Sequence, residues 1–217
     1  MTRKLHIDVF FEFICPWCLI GKRQLQAALQ QFKRTHTDVD VIVHWHGVQL
    51  IRQLPIDGVP FQAFYQERLG NSENVERRQA QVQHAAQAVG VEIDFSKIKR
   101  MPNTVKAHRL FARVQELATP EQQEQLLERL FAAYFHRCED LTESTVLFQI
   151  AAECGFSQPQ LALDLDAAEQ VFHSANTGGH GVPYFIFDGR LALAGAHPAH
   201  VLCDSMFEAL ATQGWPA

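Results

Sequence analysis

The feature that most constrains this chain is a strand running directly into Cys15-Pro16-Trp17-Cys18, with a helix starting from it. Residues 5–14, Leu-His-Ile-Asp-Val-Phe-Phe-Glu-Phe-Ile, are rich in β-branched and aromatic side chains with partial alternation, which reads as a strand. After Pro16 the period changes. Leu19, Ile20, Leu25, Ala28, Leu29 and Phe32 recur at helical spacing. Proline suits a first helical turn, where its missing N–H costs nothing. Both cysteines then fall on one side of that turn, close enough to join. Exposed N–H groups and the positive end of the helix dipole favour a thiolate at Cys15. The thiolate is the species that attacks a disulfide, and Cys18, one turn further in, is placed to resolve the mixed disulfide. A strand, a CxxC and a helix in this order are a specific signal for dithiol exchange.

A second strand at residues 39–45 puts Val39, Val41, Val43 and Trp45 on one face, so the opening has about the length of a βαβ unit. From Pro60 to Phe172 the pattern is almost entirely helical. One helix begins after Ser72 and ends at Gly90, and Pro102-Asn103-Thr104 opens another through Ala107, Leu110, Phe111 and Val114. Thr119-Pro120-Glu121-Gln122 is a capping box, and Asp140 with Glu143, Ser157 with Gln160, and Asp166 with Glu169 are further cap candidates. Strand character returns at 182–187 and, after a turn at Asp188-Gly189, at 191–194; a last amphipathic helix starts at Pro198. A hairpin joined to a βαβ unit makes an α/β fold with one sheet and helices on both faces. Residues 1–59 and 176–217 form that part, and residues 60–175 are a large all-helical insertion between the second and third strands.

At 217 residues, 47% of them hydrophobic, the chain can bury a core without disulfide staples. A net charge of -5 with scattered basic residues excludes a nucleic-acid partner of the usual basic-patch kind. No apolar run is long enough to span a membrane. The stretch after Arg3-Lys4 is broken by Asp8 and Glu12 and has no small-residue cleavage site, so it reads as the first strand of a mature cytosolic protein. Five cysteines, an odd number, also fit a reducing compartment. Two other readings of Cys15 and Cys18 stand against dithiol exchange. Half a zinc site needs two more ligands; Cys138, Cys154 and Cys203 have no CxxC or CxxH partner, although His180 and His197 can approach in space. A static structural disulfide sits poorly with the absence of an export signal.

Taken together, Cys15-Pro16-Trp17-Cys18 between strand and helix, the helical insertion, and Gly181-Val182-Pro183 before the third strand resemble the DsbA family of thioredoxin-fold oxidoreductases. The closer similarity is to its cytosolic branch, which includes the frenolicin-cluster proteins. Met101-Pro-Asn-Thr-Val-Lys-Ala-His-Arg-Leu110 and Gly195-Ala196-His197-Pro198 resemble stretches of that branch. The branch shades into 2-hydroxychromene-2-carboxylate isomerase and the kappa-class glutathione transferases. The resemblance implies a thioredoxin fold, β-α-β then β-β-α around the insertion, with Cys15 as nucleophile and Cys18 as resolving thiol. It implies a cis-proline at Pro183 facing the pair, with the Val182 backbone open to an extended substrate. Pro16, Trp17, Val182, Asn103, His108 and His197 are the implied substrate-contacting positions. No metal and no resident cofactor are implied. Glutathione enters as a co-substrate, and thioredoxin or a protein disulfide as partner.

The chain departs from the family pattern in three places. Trp17 stands where the founding DsbA enzymes have histidine, which predicts a less acidic Cys15 and a disulfide less oxidising than DsbA's value of about -120 mV. His197 stands where the branch has glutamine, and Gly178-Gly179 add flexibility before the proline. The isomerases and transferases of this fold typically carry a serine near the Cys15 position, so two cysteines favour redox work. A third reading is a binding module whose cysteines sense redox state or zinc. Elsewhere, His44 and His46 share one strand face, solvent- or substrate-facing, without a further ligand in sequence to complete a metal set. Glu12 shares a face with Phe10 and Ile14, and is either a buried acid relaying protons to Cys18 or an exposed edge residue. Asn103 reads as a helix cap. Cys138 and Cys154 on helices, and Cys203 on the last one, read as packing residues.

Overall fold

In the computed structural model, which describes residues 3–167 and 172–213, the chain divides into two compact units. One comprises Met1–Val48 with Ser174–Ala217, and the other Gln49–His173. The first unit holds strand β1 (Arg3–Phe11), helix α1 (Pro16–Thr35) and strand β2 (Val39–Gly47). The second holds β3 (Val59–Pro60), α2 (Phe61–Leu69), α3 (Ser72–Gln87), β4 (Arg100–Met101), α4 (Val105–Leu117), α5 (Pro120–Phe135), α6 (Ser144–Glu153) and α7 (Gln158–Leu161). The chain then completes the first unit with β5 (Tyr184–Phe187), β6 (Leu191–Ala194) and α8 (Ala199–Ala211).

The four strands of the first unit lie in the order β2-β1-β5-β6. β1 and β2 are parallel and in register from Arg3 opposite Val39 to Phe11 opposite Gly47, as a helical crossover requires. β5 runs antiparallel to β1, and β6 pairs with β5 through a three-residue connection, Asp188 to Arg190, in which Arg190 N donates to Phe187 O at 3.0 Å. Asp188 and Gly189 both have positive φ there, the conformation that matches the twist of a hairpin. This is the α/β thioredoxin arrangement, with the helical unit inserted in the chain between β2 and β5.

One expectation is corrected within this unit. α1 and α8 lie on the same face of the sheet rather than on two. Leu25, Ala28 and Phe32 of α1 and Leu202, Met206 and Leu210 of α8 enclose Leu5, Ile7, Val9, Phe185 and Phe187, with Val41, Val43 and Trp45 packed against them. The reason is alternation. Successive strand residues point to opposite faces, and only one face of β1 and β2 is apolar. The other carries His6, Asp8, Phe10, His44 and His46, all exposed or half-buried. α8 has no side chain of its own at its first N–H groups, and Gln24 of α1 accepts from Ala199 N at 2.8 Å. The two helices are thus joined by a hydrogen bond as well as by packing.

The helical unit follows its local signals. Thr119 and Gln122 form the expected capping box at α5, and Ser157 with Gln160 form another at α7. Asp140 is not a helix cap. Glu143 holds the N-cap position of α6, while Asp140 pairs with Arg100 at 2.9 Å and accepts from Thr142 N. The Asp166–Glu169 pair lies partly outside the described residues. A two-stranded ribbon, β3 with β4, was not foreseen; each strand has two residues, too few to show a period. Cys138 lies past the end of α5 rather than on a helix, with φ 54°. Cys154 is at the C-cap of α6, and Cys203 is buried on α8 as expected.

Arg129 on α5 is the buried cation of this unit. Its guanidinium donates to both oxygens of Glu139, at 2.6 and 2.9 Å, and to Glu153 at 2.7 Å. The Glu139 carboxylate, ahead of Glu153, holds it charged above its ordinary range. Removing the cation strands the carboxylates beside a buried site. Arg129→Met is therefore expected to destabilise the protein by about 1–3 kcal/mol in urea unfolding, and no change in midpoint would contradict the assignment.

Candidate functional site

β1 ends at Phe11 and the chain makes a tight turn, with Cys15 N donating to Glu12 O at 3.1 Å. Cys15 takes the N-cap position of α1, extended at φ -88°, and Pro16 enters as the first helical residue. The carbonyl of Cys15 accepts from Cys18 N at 3.0 Å and Leu19 N at 3.4 Å, so the first turn closes on the dithiol itself. Cys15 and Cys18 are free thiols, both buried, with Cys18 the deeper of the two.

The peptide bond between Val182 and Pro183 is cis, and Cys15 Sγ points at Val182 O across 3.7 Å. On the other side of the pair, Cys18 Sγ accepts from Glu12 N at 3.5 Å. Glu12 is fully buried, and its Oε1 accepts from Phe13 N at 2.7 Å. It lies beyond the last residue of β1, so strand alternation is not what buries it. Burial above all holds the Cys18 thiol well above the ordinary range; its hydrogen bond to Cys15 and the charges of Cys15 and Glu12 add to this, and only the Glu12 N–H acts the other way. At neutral pH Cys18 is therefore a protonated reserve behind the more accessible Cys15. Cys138, Cys154 and Cys203 are each raised as well, chiefly by burial, which fits unreactive packing thiols.

The structure thus brings Cys15, Pro16, Trp17, Cys18, Val182 and Pro183 together in the first unit. His197 is in the turn from β6 to α8, half-buried, and its Nε2 donates to Ala194 O at 3.0 Å. Asn103 and His108 belong to the helical unit. Asn103 is buried, accepts from Val105 N at 3.1 Å and from Gln49 Nε2 at 2.7 Å, and donates to Leu54 O at 2.7 Å. It stands one residue before Thr104, which holds the N-cap position of α4, so it is not the cap itself; its side chain meets the first N–H of the helix and ties down the 49–58 loop at once. The His108 ring is buried and stacks on Phe172, with ring centroids 4.8 Å apart. His44 and His46 are on the exposed sheet face, His44 against His6 Nδ1 at 3.0 Å and His46 against Asp8 at 2.7 Å. Among the described residues no group of three or more His, Cys, Asp or Glu could hold a metal ion.

Sequence reasoning missed Gly21. A Cβ there would stand 3.0 Å from Pro183 Cγ and 3.3 Å from Phe185 Cζ, so the absent side chain lets α1 close on the start of β5. A glycine inside a helix, one turn beyond a CxxC, was the available signal, because such a residue costs about 1 kcal/mol against alanine and needs a packing reason. Gly195, in the Gly195-Ala196-His197-Pro198 stretch, also reaches the site: its N–H donates to Pro183 O at 2.8 Å.

Two measurements test this geometry. Gly21→Val is expected to lower stability by about 1–3 kcal/mol, the range for overpacking a filled site, with a matching fall in the reactivity of Cys15. Iodoacetamide at neutral pH is expected to label Cys15 of the reduced protein and largely spare Cys18. A raised pKa means less thiolate at any given pH, so labelling of Cys18 should climb only well above the ordinary thiol range. Equal rates at both positions near pH 7 would contradict the burial argument.

The fold has counterparts among known proteins. A probable DsbA oxidoreductase from Streptomyces coelicolor superposes with a TM-score of 0.80 at 21% identity, over 98% of this chain and 92% of the other. The cytosolic disulfide reductase DsbM from Pseudomonas aeruginosa, solved with GSH, superposes with a TM-score of 0.58 at 18% identity, over 96% of this chain and 98% of the other. At these identities the two show a shared fold. The uncharacterized protein YwbO of Bacillus subtilis (strain 168) is 24% identical over 151 residues, which span 70% of this chain and 66% of that relative, just under two thirds of its length. The model of the DSBA-like thioredoxin domain matches residues 6–207, and the chain belongs to that family.

Proposed function

We propose that this protein is a thiol–disulfide oxidoreductase in which Cys15 attacks and Cys18 resolves. The observation that carries the reading is the unequal placing of the two thiols. Cys15 sits at a helix N-cap with its sulfur 3.7 Å from the carbonyl of Val182, and Cys18 is buried behind it. In the first step the Cys15 thiolate bonds to one sulfur of a substrate disulfide and expels the other as thiolate. In the second, Cys18 loses its proton, bonds to Cys15 Sγ and releases the remaining substrate thiolate, so the enzyme dithiol is oxidised as the substrate is reduced. Two molecules of a thiol such as glutathione return it to the dithiol state, and the whole sequence runs backwards with a reduced substrate. Glu12, buried and electrostatically coupled to Cys18, is the proposed acceptor of the Cys18 proton.

The backbone of Val182 is the proposed docking edge for an extended substrate, with Pro16 and Trp17 on the facing turn. Glutathione is the co-substrate we propose first, because the similar DsbM structure was solved with it. A reducing compartment, the cytosol, suits such a cycle. Among the described residues no helix is long and apolar enough to cross a membrane. Isomerisation or transfer with glutathione on the same fold needs no resolving thiol, and Cys18 favours exchange over it.

The test is an equilibrium redox titration against glutathione, with Cys18→Ser as a trap. A reversible two-electron couple is expected, more reducing than about -120 mV, together with a glutathione adduct on Cys15 that accumulates in the trap variant. Glutathione binding without a reversible couple would turn the reading towards isomerase or transferase chemistry.

A further inference from the structure

We propose that His180 is a positioning residue for exchange: its ring holds the docking loop so that Val182 stays against Cys15. This rests on the oxidoreductase reading above.

The segment leading into β5 is tied at both ends within the first unit. Ala175 N donates to Gly47 O at 2.9 Å at the end of β2, and Gly195 N donates to Pro183 O at 2.8 Å. Between the ties runs Gly178-Gly179-His180-Gly181, whose glycines have φ of 63°, 89° and 73°. Glycine adopts such angles without strain, but it also has the most conformational freedom to lose. Local turns link Gly178 N to Asn176 Oδ1 at 2.9 Å and His180 N to Thr177 O at 3.3 Å, and these do not reach the sheet.

His180 is the one residue of the four with a side chain. Its ring lies parallel on Tyr184, with centroids 5.0 Å apart and planes 9° from each other. Tyr184 is the first residue of β5, two positions past Val182. The stack therefore joins the residues that bracket Val182 and Pro183 and closes that stretch into a clip. The ring beneath is itself supported across the sheet. Tyr184 lies 5.7 Å from Phe10 of β1, and Phe10 stacks on His46 of β2 at 4.8 Å. The open sheet face thus carries a row of rings from the edge strand to the docking loop, with His180 as its last member.

The consequence is geometric. A substrate that pairs with the Val182 backbone needs the carbonyl in place before it binds, whereas a small alkylating agent does not use the loop. Losing the clip should affect docked substrates alone.

The experiment compares Cys18→Ser protein carrying His180, His180→Ala or His180→Phe. A synthetic peptide disulfide is the substrate, followed by stopped-flow, and iodoacetamide is the control reagent. His180→Ala is expected to lower the second-order rate with the peptide by about tenfold, short of the roughly hundredfold that a full 1 Å misplacement can cost. His180→Phe, which keeps a stacking ring, should stay within about twofold of the parent. Iodoacetamide labelling of Cys15 and the pH profile of its thiolate absorbance should be the same in all three. An unchanged peptide rate in His180→Ala overturns the proposal. So does a parallel loss of iodoacetamide reactivity, or a phenylalanine variant as slow as alanine. Failure of the parent protein to react with the peptide at all is a different result: it removes the exchange reading, and this one with it.

Discussion

Helix α1 approaches the start of β5 so closely that a Cβ on Gly21 would stand 3.0 Å from the ring of Pro183. The candidate site depends on that approach. It sets the first turn of α1 against the Val182 carbonyl, and the hydrogen bond from Gly195 to Pro183 holds the strand from its other side. Gln24 ties the same helix to the N-terminus of α8. The packing of one apolar sheet face thus fixes where the dithiol lies. Chemistry at Cys15 is then a consequence of where a helix begins, because an N-cap offers both N–H groups and the positive end of the dipole.

The two sulfurs differ through solvation more than through sequence. They are three residues apart, with a proline and a tryptophan between them. One lies at the mouth of the turn facing a backbone carbonyl, and the other is enclosed, with an N–H and a carboxylate as neighbours. Burial disfavours a thiolate at Cys18 until a bond to Cys15 replaces the charge. An attacking sulfur and a resolving sulfur are separated in this way without any difference in side-chain chemistry.

The opposite face of the sheet follows other rules. Among the described residues it has no helix of its own unit, and it carries imidazoles and aromatic rings that contact one another and Asp8. In the helical unit one polar group was legible in the sequence, Asn103, and one, Arg129, was not. Asn103 joins a loop to a helix with three hydrogen bonds, and Arg129 gathers two carboxylates around a buried guanidinium.

Much of this was legible in the chain itself, wherever a signal is local. The change of period at Pro16, the box at Thr119 and Gln122, the turn at Asp188-Gly189 and the spacing of Cys15 and Cys18 all report interactions within a few residues. Tertiary structure alone decided which groups meet across distance. It placed both helices on one face, buried Glu12 beyond the end of its strand, turned Asp140 from cap to ion-pair partner, and brought Gly21 and Gly195 to Pro183. The physical reason is that periodicity records the environment of a residue but not the identity of its neighbour. That identity follows from how sheet and helices close on one core.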